Sequence, residues 1–156
     1  MSASGVWWEK VADAVFQGSS ALALDGKGRV TVPVRHRDQL SALCNNALTL
    51  TKHPKGCLLI FPRPAWERFR EQLLALPYGA EDWRRVFLGS ADDVEIDAGA
   101  RILVSPELRA FAGLEKNVVL MGVGHRLELW DAARYAAHEA KVMASEVPAA
   151  IQNFVF

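Results

Sequence analysis

The sequence predicts an α+β fold of two tandem β-β-α-β-β-α repeats that pack on each other around one shared core. The chain has 156 residues and is 51% apolar, enough for one compact body or two small, closely packed halves. A stretch that begins at Phe16 recurs about seventy residues later. Short alternating apolar runs, separated by Gly, Pro and Asn, indicate strands more often than helices.

The internal repeat is visible without a gap over its central part. FQGSSALALDGKGRVTVPVRHR aligns with FLGSADDVEIDAGARILVSPELR, with one extra residue before the first Asp. CLLIFPRPAWERF aligns more weakly with RLELWDAARYAAH. Identical residues recur in register, as Phe16, Gly18, Ser19, Asp25, Arg29, Val32 and Arg37 align with Phe87, Gly89, Ser90, Asp97, Arg101, Val104 and Arg109. The predicted organisation is an N-terminal extension (1–14), a first repeat (15–86) and a second repeat (87–156), both sharing one core.

Each repeat is expected to open with a β-hairpin. SALALD and DVEID alternate like half-buried strands, DGKGR and DAGAR have turn composition, and RVTV and RILV resume a β-branched strand. Gly26 and Gly28 permit a positive φ and a tight reversal, and Gly99 supplies the same freedom in the second turn. Asp25 and Asp97 are expected to accept hydrogen bonds from the N–H groups of their turns or to hold the following Arg.

The later elements are predicted from proline positions and from the spacing of apolar residues. Pro33 ends the second strand, and Leu40 and Leu43 form the apolar stripe of a short helix. In the second repeat Ser105 is the expected N-cap and Pro106 the first helical residue. ALTLT and CLLIF predict two more strands, joined through KHPKG. A longer helix after Pro64 is predicted to face the core with Trp66, Phe69, Leu73, Leu74 and Leu76.

Charge is distributed unevenly between the repeats although the formal total is zero. Residues 16–86 contain eleven Lys and Arg against six Asp and Glu, a net charge of +5. Residues 87–156 contain six Lys and Arg against ten Asp and Glu, a net charge of −4. Such oppositely charged halves suit either a polar binding surface on the first repeat or head-to-tail contact between subunits, and charge alone does not choose between them.

The first turn and the helix after it concentrate cations. Lys27, Arg29, Arg35 and Arg37 occur between residues 26 and 37 with no acid among them, and such a patch can contact DNA phosphates or a guanine edge. The alternative is a solvated hairpin turn whose Arg only pairs with its Asp. Arg101 is either a second DNA contact or part of an intramolecular ion pair. Because acids surround it in the sequence, the second copy is expected to be mainly structural.

Several other classes of function find no support in the sequence. Gly26-Lys27-Gly28 is not a phosphate-binding loop, since neither Ser nor Thr follows the Lys and a strand comes next. The four His residues and two Cys residues have no ligand spacing, and no nucleophile elbow is present, so we predict no metal, no cofactor, no small-molecule substrate and no enzyme. No signal peptide or membrane span is expected, and Cys44 and Cys57 are predicted to be reduced, which favours the cytoplasm.

The strand, the Asp-x-x-x-Arg turn, the RVTVP strand and the short helix with its Arg residues together resemble the AbrB family of swapped-hairpin DNA-binding domains. Two tandem copies in one chain resemble the MraZ family of transcriptional regulators, from residue 15 to the end. The resemblance implies a pseudo-two-fold, AbrB-like swapped-hairpin β-barrel with flanking helices. Ser105 in place of Pro33, the absence of a Lys at the Lys27 position and the fourteen leading residues depart from the pattern.

The resemblance also implies a function. It is sequence-specific binding to double-stranded DNA at repeated promoter elements upstream of the division and cell-wall gene cluster, as a nucleoid-associated regulator. The partner besides DNA would be the protein itself, as a closed homo-oligomeric ring such as an octamer or dodecamer. Two alternatives stay open: an antitoxin-like or scaffold interaction module without specific DNA readout, and, more remotely, a small barrel enzyme.

Overall fold

The computed structural model of the chain describes residues 14–154, so the predicted extension lies outside the described residues except for Ala14. Along this part of the chain the strands are β1 (Ser19–Ala23), β2 (Arg29–Thr31), β3 (Ala47–Lys52), β4 (Leu58–Pro62), β5 (Asp92–Glu95), β6 (Arg101–Leu103), β7 (Asn117–Gly122) and β8 (Leu127–Asp131). The helices are α1 (Val34–Cys44), α2 (Arg63–Leu74), α3 (Glu81–Gly89), α4 (Pro106–Ala112), α5 (Ala132–Ala144) and α6 (Ala149–Gln152), with a 3₁₀ turn at Tyr78–Ala80. The β-β-α-β-β-α order is therefore present twice, as predicted.

The strands form a six-stranded antiparallel sheet in the order β1-β7-β8-β4-β3-β5 and a two-stranded ribbon of β2 and β6. The simple hairpins predicted within each repeat are wrong, because β1 pairs with β7 and β2 pairs with β6. Likewise β5 of the second repeat pairs with β3 of the first. The repeats exchange their opening strands, which confirms the swapped-hairpin fold. The strands on either side of each Asp-x-x-x-Arg turn, β1 and β2 or β5 and β6, therefore lie in different sheets, whereas β3 pairs with β4 and β7 with β8 inside the large sheet.

The strand registers have a local two-fold relation. At the centre of the large sheet, Leu58 lies opposite Leu129, Ile60 opposite Leu127, and Leu59 opposite Glu128. In the ribbon, Val30 lies opposite Ile102, at the midpoint of the pairing. Because the swap makes both repeats contribute to each sheet, neither repeat completes a sheet by itself.

A continuous apolar core lies between the ribbon, the sheet and helices α1 and α4. Val30 and Ile102 on the ribbon pack in the same cluster as Leu40, Leu58 and Leu129. A second, smaller cluster of Phe61, Trp66, Phe69 and Phe87 lies between β4, α2 and α3. Cys44 and Cys57 are buried free thiols, as the sequence indicates, and burial raises the pKa of Cys57 to about 12.

The ends of the long helices differ from the sequence prediction. Leu73 is 5% exposed and faces the core as expected, but Leu74 and Leu76 are 62% and 46% exposed. The helix ends at Leu74, and the chain then turns at Pro77 into α3, which the sequence reading did not separate. Leu74 follows Leu73 directly and so lies about 100° around the helix from that buried side chain. Leu76 lies beyond the end of the helix, which the helical period alone cannot locate. Ser105 does cap α4, since its Oγ accepts a hydrogen bond from the Leu108 N–H at 3.3 Å.

Candidate nucleic-acid interface

The first turn, residues 25–29, is organised by the carboxylate of Asp25. Its Oδ1 accepts hydrogen bonds from the N–H groups of Lys27 at 2.9 Å and Arg29 at 2.8 Å. Its Oδ2 accepts from Arg29 Nε at 2.8 Å. The hydrogen bond from the Arg29 N–H is the main cause that lowers the pKa of Asp25. The guanidinium of Arg29 is therefore held beside the turn, while the Lys27 side chain is exposed and has no partner among the described residues.

The second turn, residues 97–101, has the same backbone but a looser Arg. Asp97 Oδ1 accepts from the N–H groups of Gly99 and Arg101, both at 2.9 Å, and the hydrogen bond from Arg101 lowers the pKa of Asp97. Arg101 Nε lies 3.6 Å from Asp97 Oδ2 and makes no hydrogen bond. The guanidinium folds over Gly99, where an added Cβ would lie 3.0 Å from Arg101 Nε.

The position that needs a left-handed backbone is the fourth residue of each turn. Gly28 has φ 83°, and Ala100, its counterpart, has φ 61°. Neither Gly26 nor Gly99 has a positive φ, so the conformational freedom expected at these two glycines is not used. Gly26 instead leaves open space at the turn, with nothing within 4 Å of an added Cβ.

Each turn is completed by the other repeat. The Val104 N–H donates to the Gly28 carbonyl at 2.9 Å, and the Val32 N–H donates to the Ala100 carbonyl at 2.7 Å. These bonds extend the β2–β6 pairing at both ends. The turns of DGKGR and DAGAR, 72 residues apart in sequence, are thus fixed side by side by backbone hydrogen bonds.

The two strands of the ribbon present one outward surface, which we call the ribbon face and define as Arg29, Thr31, Arg101 and Leu103. Val30 and Ile102 are 0% and 1% exposed and point to the core. Because side chains alternate along a strand, the residues on either side of them point outward. Arg29 lies opposite Leu103, and Thr31 opposite Arg101. Arg29 also lies close enough to Asp97 for its charge to lower the pKa of that carboxyl.

Sequence reasoning missed Thr31 and Leu103 as surface candidates, although the alternation in RVT and RIL carries the signal. Leu103 is 53% exposed and lies directly opposite Arg29 on this face, so a large apolar side chain accompanies the cation. Arg109 is a third residue of the site that was not among the predicted binding residues. Its guanidinium packs on Gly28, where an added Cβ would lie 2.7 Å from Arg109 Cζ. Its Nε donates to the Val104 carbonyl at 3.1 Å, so Arg109 supports the first turn from the second repeat.

The two predicted cations of helix α1, Arg35 and Arg37, have different environments. Arg37 is the counterpart of Arg109 and donates from Nε to the Val32 carbonyl at 2.6 Å, which ties it to the fold. Arg35 is exposed and lies against Gly18, beside a cavity of about 380 Å³ that His36 and Gln39 also line. Of the predicted DNA-binding residues, the structure brings Arg29 and Arg101 onto the ribbon face, with Lys27 in the adjoining turn.

The acids expected around Arg101 mostly pair elsewhere. Glu107 Oε1 lies 3.4 Å from Lys52 Nζ on β3. Asp93 accepts from Thr49 Oγ1 at 2.7 Å and lies 3.6 Å from Arg63 Nε. Asp97 is therefore the acid that the structure pairs with Arg101 within the described residues. The ribbon face is less acidic at the second repeat than the sequence suggests.

Other kinds of site find little support. Within residues 14–154, no group of three or more His, Cys, Asp and Glu side chains has the arrangement of a metal site. No helix in that range is long and apolar enough to cross a membrane.

Comparison with known proteins gives consistent matches. The family model described as "MraZ protein, putative antitoxin-like" matches residues 15–86 and again residues 87–153. A protein named transcriptional regulator MraZ from Methylibium petroleiphilum is 62% identical over 146 residues, which is 94% of this chain and all of that protein. Proteins of the same name from Leptothrix cholodnii and Delftia acidovorans are 60% and 58% identical, covering 94% and 91% of this chain and all of each relative.

Proposed function

Because the chain belongs to the MraZ family, we propose that it is a transcriptional regulator that binds specific double-stranded DNA through the ribbon face and the two turns beside it. The observation that carries the proposal is that two Asp-x-x-x-Arg turns are fixed in one outward surface. An antiparallel two-stranded ribbon is narrow enough to enter the major groove. Transcriptional regulation is the activity named for the relatives, and catalysis is not part of the proposal.

The chemistry of the surface suits readout of base edges. Asp25 holds the Arg29 guanidinium in a fixed orientation, which reduces the entropy lost when Arg makes a bidentate contact with guanine. Arg101 lies diagonally across the ribbon and its side chain is 37% exposed, so it offers a second contact of the same kind. Lys27 and Arg35 are exposed cations that suit phosphate contacts.

One protomer offers few charges, and this argues for several copies acting together. Each neutralised phosphate contributes about 0.9 to the slope of log affinity against log salt. With the four cations Lys27, Arg29, Arg35 and Arg101, one protomer would bind weakly near physiological salt. We therefore propose a homo-oligomer, in closed-ring form, that contacts repeated elements in a promoter of the division and cell-wall gene cluster, at the nucleoid.

The test is binding of promoter fragments by fluorescence anisotropy at two salt concentrations, for the wild type, Arg29→Ala and Arg101→Ala. Each Arg variant should lose about 1–3 kcal/mol of affinity for the specific fragment and little for an unrelated one. Lys55→Ala, which removes an exposed cation in the β3–β4 turn, is the matched control. Full affinity in both Arg variants would reject the ribbon face as the binding surface and favour the antitoxin-like or scaffold module.

A further inference from the structure

A cavity of about 380 Å³, which we call the Arg35 cavity, lies between the first turns of α1 and the segment that precedes β1. Its lining consists of Val15, Gln17, Gly18, Arg35, His36 and Gln39. Cavities that hold small molecules begin at about 300 Å³. Four of these six residues have side chains that can donate hydrogen bonds, and none of the six is acidic. The lining therefore has the composition of a site for an anion.

One side chain of this lining is buried without a hydrogen-bond partner. His36 is 2% exposed, and its Nε2 is buried and unpaired among the described residues. The ring is held by an edge-on contact with Phe16, with the ring centroids 5.9 Å apart. Burial lowers the pKa of His36, and the neutral ring that this favours can carry its proton on Nε2 and donate it. Because an unpaired buried polar atom is costly, Nε2 calls for a partner in the cavity.

Arg35 brings a positive charge to the same cavity. Its guanidinium lies against Gly18, where an added Cβ would meet Arg35 Nη1. Gly18 also has φ 87°, so a larger residue would be strained there and would displace the guanidinium. Within residues 14–154 no acidic side chain forms an ion pair with Arg35. The charge is thus available to a ligand, and a glycine keeps the space for it.

The second repeat indicates that the fold does not require this polar set. The three positions of α1 that line the cavity align with Glu107, Leu108 and Phe111 of α4. Leu108 is buried in the apolar core, and Phe111 packs against that core. Glu107 pairs with Lys52 instead of leaving a free charge. The same helix is therefore built with two apolar side chains and an acid, so the cation, the imidazole and the amide of the first repeat need a reason other than packing.

We propose that the Arg35 cavity binds a phosphate group, with the Arg35 guanidinium and His36 Nε2–H as its donors. The fork of an Arg side chain matches the spacing of phosphate oxygens. Arg35 and His36 are consecutive residues and lie about 100° apart around α1, while Gln17 belongs to a different segment. Donors that converge from separate directions suit a tetrahedral phosphate better than a planar carboxylate.

The phosphate group can belong to a small ligand or to the DNA backbone, and the same chemistry recognises both. The inference goes beyond the proposed function, because neither Arg29 nor Arg101 lines the cavity. It shares Arg35 with the proposed DNA contacts and does not require DNA.

The experiment is isothermal titration calorimetry of the full chain with inorganic phosphate, in a phosphate-free buffer and without DNA. The wild type should bind one phosphate per protomer. Arg35→Ala should weaken binding about tenfold or more, since a charged donor is lost. His36→Leu, which copies Leu108 and keeps the position apolar, should weaken it about fivefold. Circular dichroism checks that both variants fold, and Arg35→Ala, at an exposed position, tests the site even if His36→Leu does not fold.

Two controls give the proposal its possible failures. Lys55→Ala removes an exposed cation of the β3–β4 turn and should bind phosphate like the wild type. Acetate replaces phosphate in a parallel titration and should bind more weakly. The proposal is overturned by a wild type that binds no phosphate, by equal weakening in Lys55→Ala, by a folded His36→Leu with wild-type affinity, or by acetate that binds as tightly as phosphate.

Fluorescence anisotropy with the promoter fragment then identifies the source of the phosphate. If it belongs to DNA, His36→Leu should bind the fragment about fivefold more weakly, and the fragment should displace inorganic phosphate. If it belongs to a small ligand, His36→Leu should bind the fragment like the wild type, and phosphate should bind equally with and without DNA. Arg29→Ala should keep its affinity for inorganic phosphate, so a failure of DNA readout is distinguishable from a failure of the cavity.

Discussion

Gly28 and Ala100 hold the same place in the two turns, and exchanging their side chains tests how the turns are built. Both have a positive φ, 83° and 61°. A non-Gly residue in this region is strained by about 1–2 kcal/mol, because its Cβ crowds the following carbonyl. The first turn avoids this strain with a Gly, while the second accepts it. The two substitutions to compare are Gly28→Ala and Ala100→Gly.

The expected magnitudes differ because of Arg109. In Gly28→Ala the new Cβ adds about 1–2 kcal/mol of strain, from which about 0.4–1 kcal/mol is recovered by the stiffer unfolded chain. That Cβ would also lie 2.7 Å from Arg109 Cζ, so the guanidinium must move and its 3.1 Å hydrogen bond to the Val104 carbonyl is lost. This loss adds about 1 kcal/mol. We expect Gly28→Ala to be destabilised by about 2 kcal/mol.

Ala100→Gly should be stabilised by about 0.5–1 kcal/mol, since strain is relieved and only the unfolded-state entropy opposes it. The assay is urea denaturation followed by tryptophan fluorescence, at one fixed protomer concentration because assembly also affects stability. The double variant Gly28→Ala/Arg109→Ala isolates the steric part, and it should be less destabilised than the two single changes summed. A Gly28→Ala variant as stable as the wild type, or a destabilised Ala100→Gly variant, would refute this account of the turns.

Two further predictions concern His36 and Leu103. His36 is 2% exposed with no partner for Nε2, and burial together with the Arg35 charge lowers its pKa, so the folded state favours the neutral ring. The stability of the fold is therefore highest, as far as His36 is concerned, above the unfolded-state pKa near 6.5, and it falls as the pH drops below that value. The variant His36→Leu, which copies Leu108 of the second repeat, should lose less of its urea midpoint than the wild type between pH 7.5 and pH 5.5. An equal loss of midpoint in variant and wild type would contradict this. Part of the slope will remain through His53, whose pKa is also lowered by burial. Leu103→Ala should leave the melting temperature nearly unchanged but should lose about 1 kcal/mol of binding free energy on DNA that has a thymine beside the guanine contact, because Leu103 is expected to contact the thymine methyl group. The control is the same DNA with uracil in place of that thymine, which the wild type and the variant should bind with equal affinity.

The local features of this fold were readable from the sequence because they depend on nearby residues. The alternation in RVT and RIL, the Asp that caps its own turn and the Ser105 N-cap are all decided within five residues. Strand partners are not decided in this way. The period of a strand shows which side chains are buried, and it says nothing of whether β1 pairs with β2 or with β7. Only the family resemblance supplied the swap.

The parts of the candidate site that sequence reasoning did not find are those that the swap creates. Arg109 supports a turn 81 positions before it, and Leu103 lies beside Arg29 only because the two strands pair across repeats. Charge pairing on this surface also depends on the swap. Glu107 is six residues from Arg101 in sequence, yet its carboxylate meets Lys52 on another strand. Proximity in sequence is a poor guide to charge pairing on a surface that two repeats build together.

The swap also explains why the two turns can differ while remaining one surface. Each turn receives a backbone hydrogen bond from the opposite repeat, at Gly28 from Val104 and at Ala100 from Val32. Backbone bonds do not depend on side-chain identity, so the second turn keeps its place with Gly in the Lys27 position and a strained Ala in the Gly28 position. A chain that formed this surface from two separate copies of one repeat would have two identical turns. Joining the repeats in one chain allows the first turn to hold its Arg tightly and the second to leave its Arg free to adjust, on a ribbon whose geometry is common to both.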